Sequence, residues 1–393
     1  MKINKVQADS IFLGNSYYLL ASAMNIETQK AQIIQEKLYP NPIFSADFNL
    51  YNPENHKIFQ VGQSGQKAFQ LEQLFVLGGK RKIAIEMAKT NVAIAELEFQ
   101  QLVANLKYSL HSSLYAVGQQ EFLIRKYNQQ LNLLDDLLAA YQTQVNLGNL
   151  PLKDLVRLKG AYMKLNNDRA ELLKDYFTTQ STLQKILQVS AVIRFEILDD
   201  DLSKYLKLQS VEELQEIALN NRPDLLASQK NSLLAEQYLH YQRKLSIPDL
   251  NIITSYDQNS GAFQNQINAG FAIALPMWHR NQGNIKSARF KKRESLYKVQ
   301  SMKNEINADI LNAHAYYAQT ISEYKKATSL YNSDFELTLK GMTNNFQKRN
   351  ISIIEFVDFF ESYNDVLTEL TRIRRQVVSS AEELNLLTGT NIY

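Results

Sequence analysis

Between Phe99 and Tyr141 an apolar seam recurs at alternating steps of four and three residues without a break. It runs Phe99, Val103, Leu106, Leu110, Ser113, Val117, Gln120, Ile124, Tyr127, Leu131, Leu134, Leu138 and Tyr141, with eleven of the thirteen positions apolar. Spacing of this kind, held over six heptads, lays one stripe along one side of a helix and marks coiled-coil packing. The flanking sequence lets the helix extend. Prolines sit only at 40, 42, 53, 151, 223, 248 and 276, leaving 54–150 and 277–393 free of the strongest helix breaker. A helix over 80–146 would be ~100 Å long at the α-helical rise, too long for the inside of a compact globule. It belongs to a rod, a filament or a tube.

The two proline-free stretches resemble each other, and so do the segments leading into them. Leu19-Leu20-Ala21-Ser22 with Asn25 matches Leu225-Leu226-Ala227-Ser228 with Asn231, and Lys37-Leu38 before Pro40 matches Lys244-Leu245 before Pro248. Gly79 with Ala84 matches Gly283 with Ala288, and Asn149-Leu150-Pro151-Leu152 matches Asn350-Ile351-Ser352-Ile353. The offsets drift only from 207 to 201, in order along the chain, as a twofold internal repeat requires. Repeat one is expected over 1–190, with a helix over 8–38, strands over 43–52 and 66–76, and long helices over 80–146 and 152–188. A connector follows over 191–222. Repeat two covers 223–393. The helix leading into it spans 211–245, with strands over 249–258 and 265–276 and long helices over 285–346 and 353–388.

The strands alternate. Phe44, Ala46, Phe48 and Leu50 take turns with Ser45, Asp47, Asn49 and Tyr51, and Ile267, Ala269, Phe271 and Ile273 with Asn268, Gly270, Ala272 and Ala274. Phe69 and Leu71 face one way, as do Leu250 and Ile252, with Gln70, Glu72, Asn251 and Ser255 opposite. Period two means one apolar and one polar face, and about 9–11 residues is the length of a tilted membrane strand. A soluble hairpin packed on a helix would alternate equally well; the long helices in the same halves are what favour the membrane reading. Four strands cannot close a barrel, and an open sheet edge is not tolerated in lipid. Copies must then be pooled, and three chains give twelve strands above a matching ring of helices.

Composition closes other routes. With 43 basic and 40 acidic residues the chain carries no nucleic-acid footprint. No run of about 18 apolar residues exists to form a transmembrane helix. The five histidines (56, 111, 240, 279 and 314) are dispersed, there is no cysteine, and no zinc-spaced set, phosphate loop, nucleophile elbow or dinucleotide fingerprint occurs. A metal site, a cofactor and an enzymatic activity are therefore not expected. The N-terminal residues do not read as a signal peptide, so export requires a segment upstream of Met1. Tyr39, Tyr51 and Tyr256 are candidates for an aromatic girdle, and His279 beside Trp278 for a membrane interface.

At this level the residues resemble the TolC-like outer-membrane factors, closest to the cobalt–zinc–cadmium or copper–silver cation-efflux branch. The marks are Leu38-Tyr39-Pro40-Asn41-Pro42, Gln73-Leu74 followed by Gly78-Gly79-Lys80-Arg81, and Asn221-Arg222-Pro223-Asp224-Leu225. Leu275-Pro276, Arg280-Asn281-Gln282-Gly283-Asn284-Ile285 and Asn385-Leu386-Leu387-Thr388-Gly389 complete them. The resemblance covers nearly the whole chain. It implies an α+β membrane protein, a homotrimer whose 12-stranded β-barrel continues into a periplasmic α-barrel. Residues 190–222 and the C-terminus would form an equatorial belt. It further implies a passive duct in the outer membrane of a Gram-negative bacterium, in contact with outer-membrane lipid. A periplasmic adaptor and an inner-membrane pump of the resistance–nodulation–division type would be its partners.

By the same resemblance the turns at 147–152 and 348–353 form the periplasmic tip. The adaptor would meet Gly148, Asn149, Leu150, Arg349, Asn350 and Ser352, although Arg349 stands where the family commonly has Gly. Asp154, Glu355 and Asp358 fall where the family narrows the tube with acids, and in a trimer each becomes a ring that favours cations. First-turn acids also complement a helix dipole, which is the simpler role for Asp154. A basic residue that pairs with the first-half acid in the TolC branch is replaced here by Ile351. Alternative functions are a drug-efflux or type I protein-secretion conduit and, more remotely, a cytoplasmic structural coiled-coil protein.

Overall fold

The computed structural model describes residues 1–53, 56–62, 65–195, 197, 202–259, 263–331 and 334–393. The first half contains α1 (Lys5–Asn15), α2 (Tyr17–Lys37), β1 (Ile43–Phe48), the short pair β2 (Tyr51–Asn52) and β3 (Lys57–Ile58), and β4 (Gln66–Phe75). It ends with α3 (Lys80–Asn146) and α4 (Leu152–Leu187). The second half holds α5 (Val211–Asn221), α6 (Pro223–Lys244), β5 (Leu250–Asn259) and β6 (Phe263–Ile273), then α7 (Gln282–Leu330), α8 (Asp334–Gln347) and α9 (Ile353–Thr388).

Three helices expected to be single are divided. The helix over 8–38 breaks at Ser16, whose backbone turns extended (ψ 109°) while its N–H still closes α1 on Phe12 O. The helix over 211–245 breaks at Arg222, because the ring of Pro223 disfavours helical backbone in the residue before it (ψ 118°). The helix over 285–346 is interrupted between Leu330 and Asp334; residues 332–333 lie outside the described residues. The repeat is also registered differently at one point. Gly79 (φ 75°) precedes α3 as Asn281 (φ 58°) precedes α7, so Asn281 is its counterpart, and Gly283 lies inside the helix. Asparagine tolerates the left-handed region, and here the side chain is fixed by donating to Gln242 O and Oε1 at 2.7 and 2.8 Å.

The chain packs as two compact units, each drawn from both halves. One comprises Ser22–Glu98 and Asp224–Met302. Its sheet is antiparallel in the order β1-β4-β5-β6, so the central pairing of β4 with β5 joins the two halves and β1 and β6 form the edges. The register puts Phe44 opposite Leu71, Phe69 opposite Tyr256, Ile252 opposite Phe271 and Leu250 opposite Ile273. One face is therefore dominated by Phe44, Phe48, Phe69, Leu71, Phe75, Ile252, Ile267 and Phe271. Phe69 is the hub, 6.2 Å from Phe44, 5.8 Å from Phe48 and 6.1 Å from Tyr256. Ile267 and Phe271 remain 79% and 75% exposed, more than an isolated soluble sheet would leave to water. The opposite face carries Ser45, Asp47, Gln70, Glu72, Asn251, Ser255, Asp257 and Asn268.

The Gly78-Gly79-Lys80-Arg81 motif sets the strand-to-helix junction. Gly78 (φ 72°) has Ile247 packed where a Cβ would stand, at 2.8 Å. Lys80 is buried and its ammonium meets Asp249 at 2.7 Å, ahead of β5. Arg81 lies over the ring of Tyr39 at 3.7 Å and donates to Lys37 O at 2.7 Å, which fixes the approach to β1. Tyr39 itself stays 68% exposed.

The other unit comprises Met1–Ala21, Phe99–Pro223 and Lys303–Tyr393. Leu110, Val117, Tyr127, Leu131 and Leu134 of the seam are buried, but so are Leu114, Tyr115, Leu123 and Leu137 beside it. The stripe is wider than a two-helix coiled coil needs, because α3 packs on more than one neighbour. Leu158 and Leu165 of α4 join Phe346, Phe356, Phe360, Tyr363 and Leu367 in a common core with it. Elsewhere in the unit a polar knot is buried. His111 lies 2.8 Å from Asp9 and 3.1 Å from Glu382, and Glu382 also accepts from Lys5 at 2.7 Å and Tyr205 at 2.9 Å. Burial pulls the imidazole pKa down, yet the two carboxylates outweigh it and raise it. Burial pushes Glu382 up, but His111 and Lys5 overcome it and hold the carboxyl at about 2.

Candidate functional site: two helix–helix turns

The turns between α3 and α4 and between α8 and α9 have the same backbone. In the first, Gly148 (φ 75°) donates to Val145 O at 3.0 Å and Asn149 to Gln144 O at 2.9 Å. In the second, Arg349 (φ 61°) donates to Phe346 O at 2.9 Å and Asn350 to Asn345 O at 2.8 Å. Both are Schellman closures, which satisfy the last carbonyls of the incoming helix through one left-handed residue. Even the side chains agree: Asn149 Nδ2 donates to Gln144 Oε1 at 2.9 Å and Asn350 Nδ2 to Asn345 Oδ1 at 3.2 Å. Arg349 keeps the left-handed geometry that Gly adopts without cost, so the departure from the family pattern changes the side chain and not the path.

The outgoing helices start differently. Pro151 caps α4 with no side-chain hydrogen bond, whereas Ser352 caps α9 by accepting from Glu355 N at 3.2 Å. Glu355 returns the bond, its Oε2 accepting from Ser352 N at 2.7 Å, which completes a capping box. The backbone and hydroxyl of Ser352 hold the Glu355 carboxyl below its ordinary value although it is fully exposed. Asp358, one turn on, is exposed as well, and Asp154 is half-buried.

Tyr141 ties the turns together. Its ring stacks on Phe346 at 5.2 Å, and Phe346 stacks on Phe356 at 4.4 Å. Burial raises the Tyr141 hydroxyl, Asp154 adds to the rise and Arg349 opposes it. Asp154 of the first turn and Arg349 of the second therefore act on the Tyr141 hydroxyl with opposite sign. Of the sequence-derived tip residues, Gly148, Asn149, Arg349, Asn350 and Ser352 build the closures and the cap. Leu150 is half-buried. Sequence reasoning placed Tyr141 only on the seam and did not single out the capping box, although Ser352 and Glu355 have the Ser-x-x-Glu spacing that signals it. Lys164 and Glu361 pair at 3.1 Å across α4 and α9, and Lys126 pairs with Glu336 across α3 and α8. Among the described residues no three His, Asp or Glu side chains group to hold a metal ion, and no helix is long and apolar enough to cross a membrane.

No family model matches the chain. It is 22% identical over 281 residues to the cobalt-zinc-cadmium resistance protein CzcC of Cupriavidus metallidurans, covering 71% of this chain and 64% of that protein. The match thus spans less than two thirds of the relative. The fold is similar to the Campylobacter jejuni CmeC outer membrane channel (TM-score 0.79, 12% identity, 98% of this chain and 86% of that one). It is similar also to CusC, solved in connection with transmembrane channel formation (TM-score 0.74, 15% identity, 98% of this chain and 90% of that one). In fold the chain is similar to these outer membrane channels, and in sequence to the resistance protein CzcC.

Proposed function

We propose that the protein is the outer-membrane channel of a tripartite efflux system, a passive export duct for small solutes. The observation that carries this is the sheet of the strand-bearing unit. It has an exposed apolar face, a polar face and two unpaired edges, and it leads in both halves into helices of 67 and 49 residues. Three copies would join edge to edge into twelve strands, turning the apolar face to lipid and the polar face to the lumen. The likeness to CzcC supports heavy-metal cations as cargo. A periplasmic adaptor would dock on the two turns at Gly148, Asn149, Leu150, Arg349, Asn350 and Ser352, with an inner-membrane pump supplying the energy. The outer membrane and the periplasm are the expected location.

Asp154, Glu355 and Asp358 would ring the constriction. Glu355 can serve there while capping α9, because only Oε2 is committed to Ser352 N. Cross-linking or mass photometry in detergent should find three chains, and a stable monomer or dimer would sink the duct reading. In planar bilayers the double substitution Glu355→Gln, Asp358→Asn should lower the cation preference of single channels. Selectivity equal to the parent would assign these acids to helix starts alone.

A further inference from the structure

The end of the sheet that leads into the helices is ringed by cations. Lys37, Lys82, Arg243, Arg280, Lys286 and Arg289 are all exposed there, at the ends of α2 and α6 and the beginnings of α3 and α7. Fewer acids offset them: Glu36 and Glu86 are exposed nearby, while Asp249 is taken by Lys80 and Glu236 by Lys292. The opposite end of the sheet, around Asp47 and Asp257, shows no such excess. On α7 the cations occupy a definite face. Ala288 is fully buried, and Lys292 and Ser295 meet Glu236 and Ser232 of α6 at 2.5 and 3.2 Å, which defines the packed side. At 100° per residue Lys286, Phe290, Arg293 and Tyr297 fall on the opposite side and Arg289 on its flank. Phe290 and Tyr297 are 55% and 75% exposed, and Trp278, just before the helix, is 85% exposed.

We infer that this band binds the anionic phospholipid headgroups of the membrane leaflet nearest the helices. The inference rests on the duct reading, since it takes the apolar sheet face as the lipid face. Cations and aromatic rings at one margin of an apolar strand band match what the interface of a bilayer selects: amphipathic rings at headgroup depth and ammonium or guanidinium groups against phosphate. Lys286 and Arg289 lie within the first two turns of α7, roughly 6 and 10 Å along its axis at the helical rise. Headgroup regions are of that depth. Covering by anionic lipid also neutralises a band that would otherwise repel itself when copies assemble.

The test uses the full-length protein with vesicles of phosphatidylcholine alone or with 30 mol% phosphatidylglycerol added, scored by flotation and by cross-linked oligomer. Phosphatidylglycerol should raise partitioning roughly tenfold at ~0.1 M salt, an increment that high salt removes. The triple variant Lys82→Gln, Lys286→Gln, Arg289→Gln should lose that increment while still floating with phosphatidylcholine and cross-linking like the parent. Equal flotation of the parent with both lipids would overturn the headgroup site and leave the duct standing. A triple variant that floats but no longer cross-links would assign the band to a contact between copies, against the proposal. Failure of the parent to float with either lipid would remove the duct reading and this inference with it.

Discussion

The turn at 147–152 and the turn at 348–353 follow one backbone path with two sets of side chains. The first uses the residue types that suit the geometry, Gly at the left-handed position and Pro at the helix start. The second puts Arg at the left-handed position and relies on a Ser–Glu box to begin α9. Its Phe346 and Phe356 are stacked, and Tyr141 joins the stack from the first. The comparison teaches that the path is held by the hydrogen-bonded closure and by the core beneath it. The identity of the residue at the apex is secondary, which leaves that residue available for surface roles.

The largest expected difference lies in the core. Phe356 of the second half and Leu155 of the first occupy equivalent places just after the turns, and both are buried. Phe356→Ala should cost ~4 kcal/mol and Leu155→Ala ~3 kcal/mol, since removing the larger side chain also dismantles a stack. Guanidinium midpoints at constant slope would measure this, and a larger loss at Leu155 would reverse the ranking of the two turns. Next come the apices. Gly148→Ala should destabilise by about 1 kcal/mol, whereas Arg349→Gly should be neutral to stabilising, because only the latter removes a Cβ from the left-handed region. Two losses of equal size would mean that the Arg349 side chain outweighs its backbone.

Ser352→Ala should cost ~1 kcal/mol through loss of the cap, and amide exchange should localise the effect to the first turn of α9. The smallest effect is a pH dependence confined to the second turn. Ser352 depresses the folded pKa of Glu355 below 4.5. The carboxylate therefore supports the cap fully above that value and loses it as pH falls through the lower folded one. Acid should loosen the Ser352 amide, followed by its NMR shift, and Glu355→Gln should flatten the titration. An unchanged titration in that variant would break the link between the box and the acid response.

Much of this molecule is legible in one sequence. Alternation in 43–48 and 263–273 and the 4-3 seam in 99–141 follow from local periodicity, so strands and long helices could be placed from the residues. The break at Arg222 was passed over, with one helix expected across 211–245, although the ring of Pro223 disfavours helical backbone in the residue before it. Gly14, Asn15 and Ser16 stand at the break between α1 and α2, residue types that favour turns and helix starts, yet one helix was expected across them. The histidines looked dispersed because Asp9, His111 and Glu382 are far apart in the chain; only folding brings two carboxylates onto one imidazole. Tertiary structure likewise decided that β4 pairs with β5, that Gly79 answers to Asn281, and that Tyr141 of the first half stacks on Phe346 of the second. Sequence alone determined what depends on the spacing of neighbouring residues along an element. Pairing, burial and the meeting of distant charges depend on how elements pack, and no local pattern contains that information.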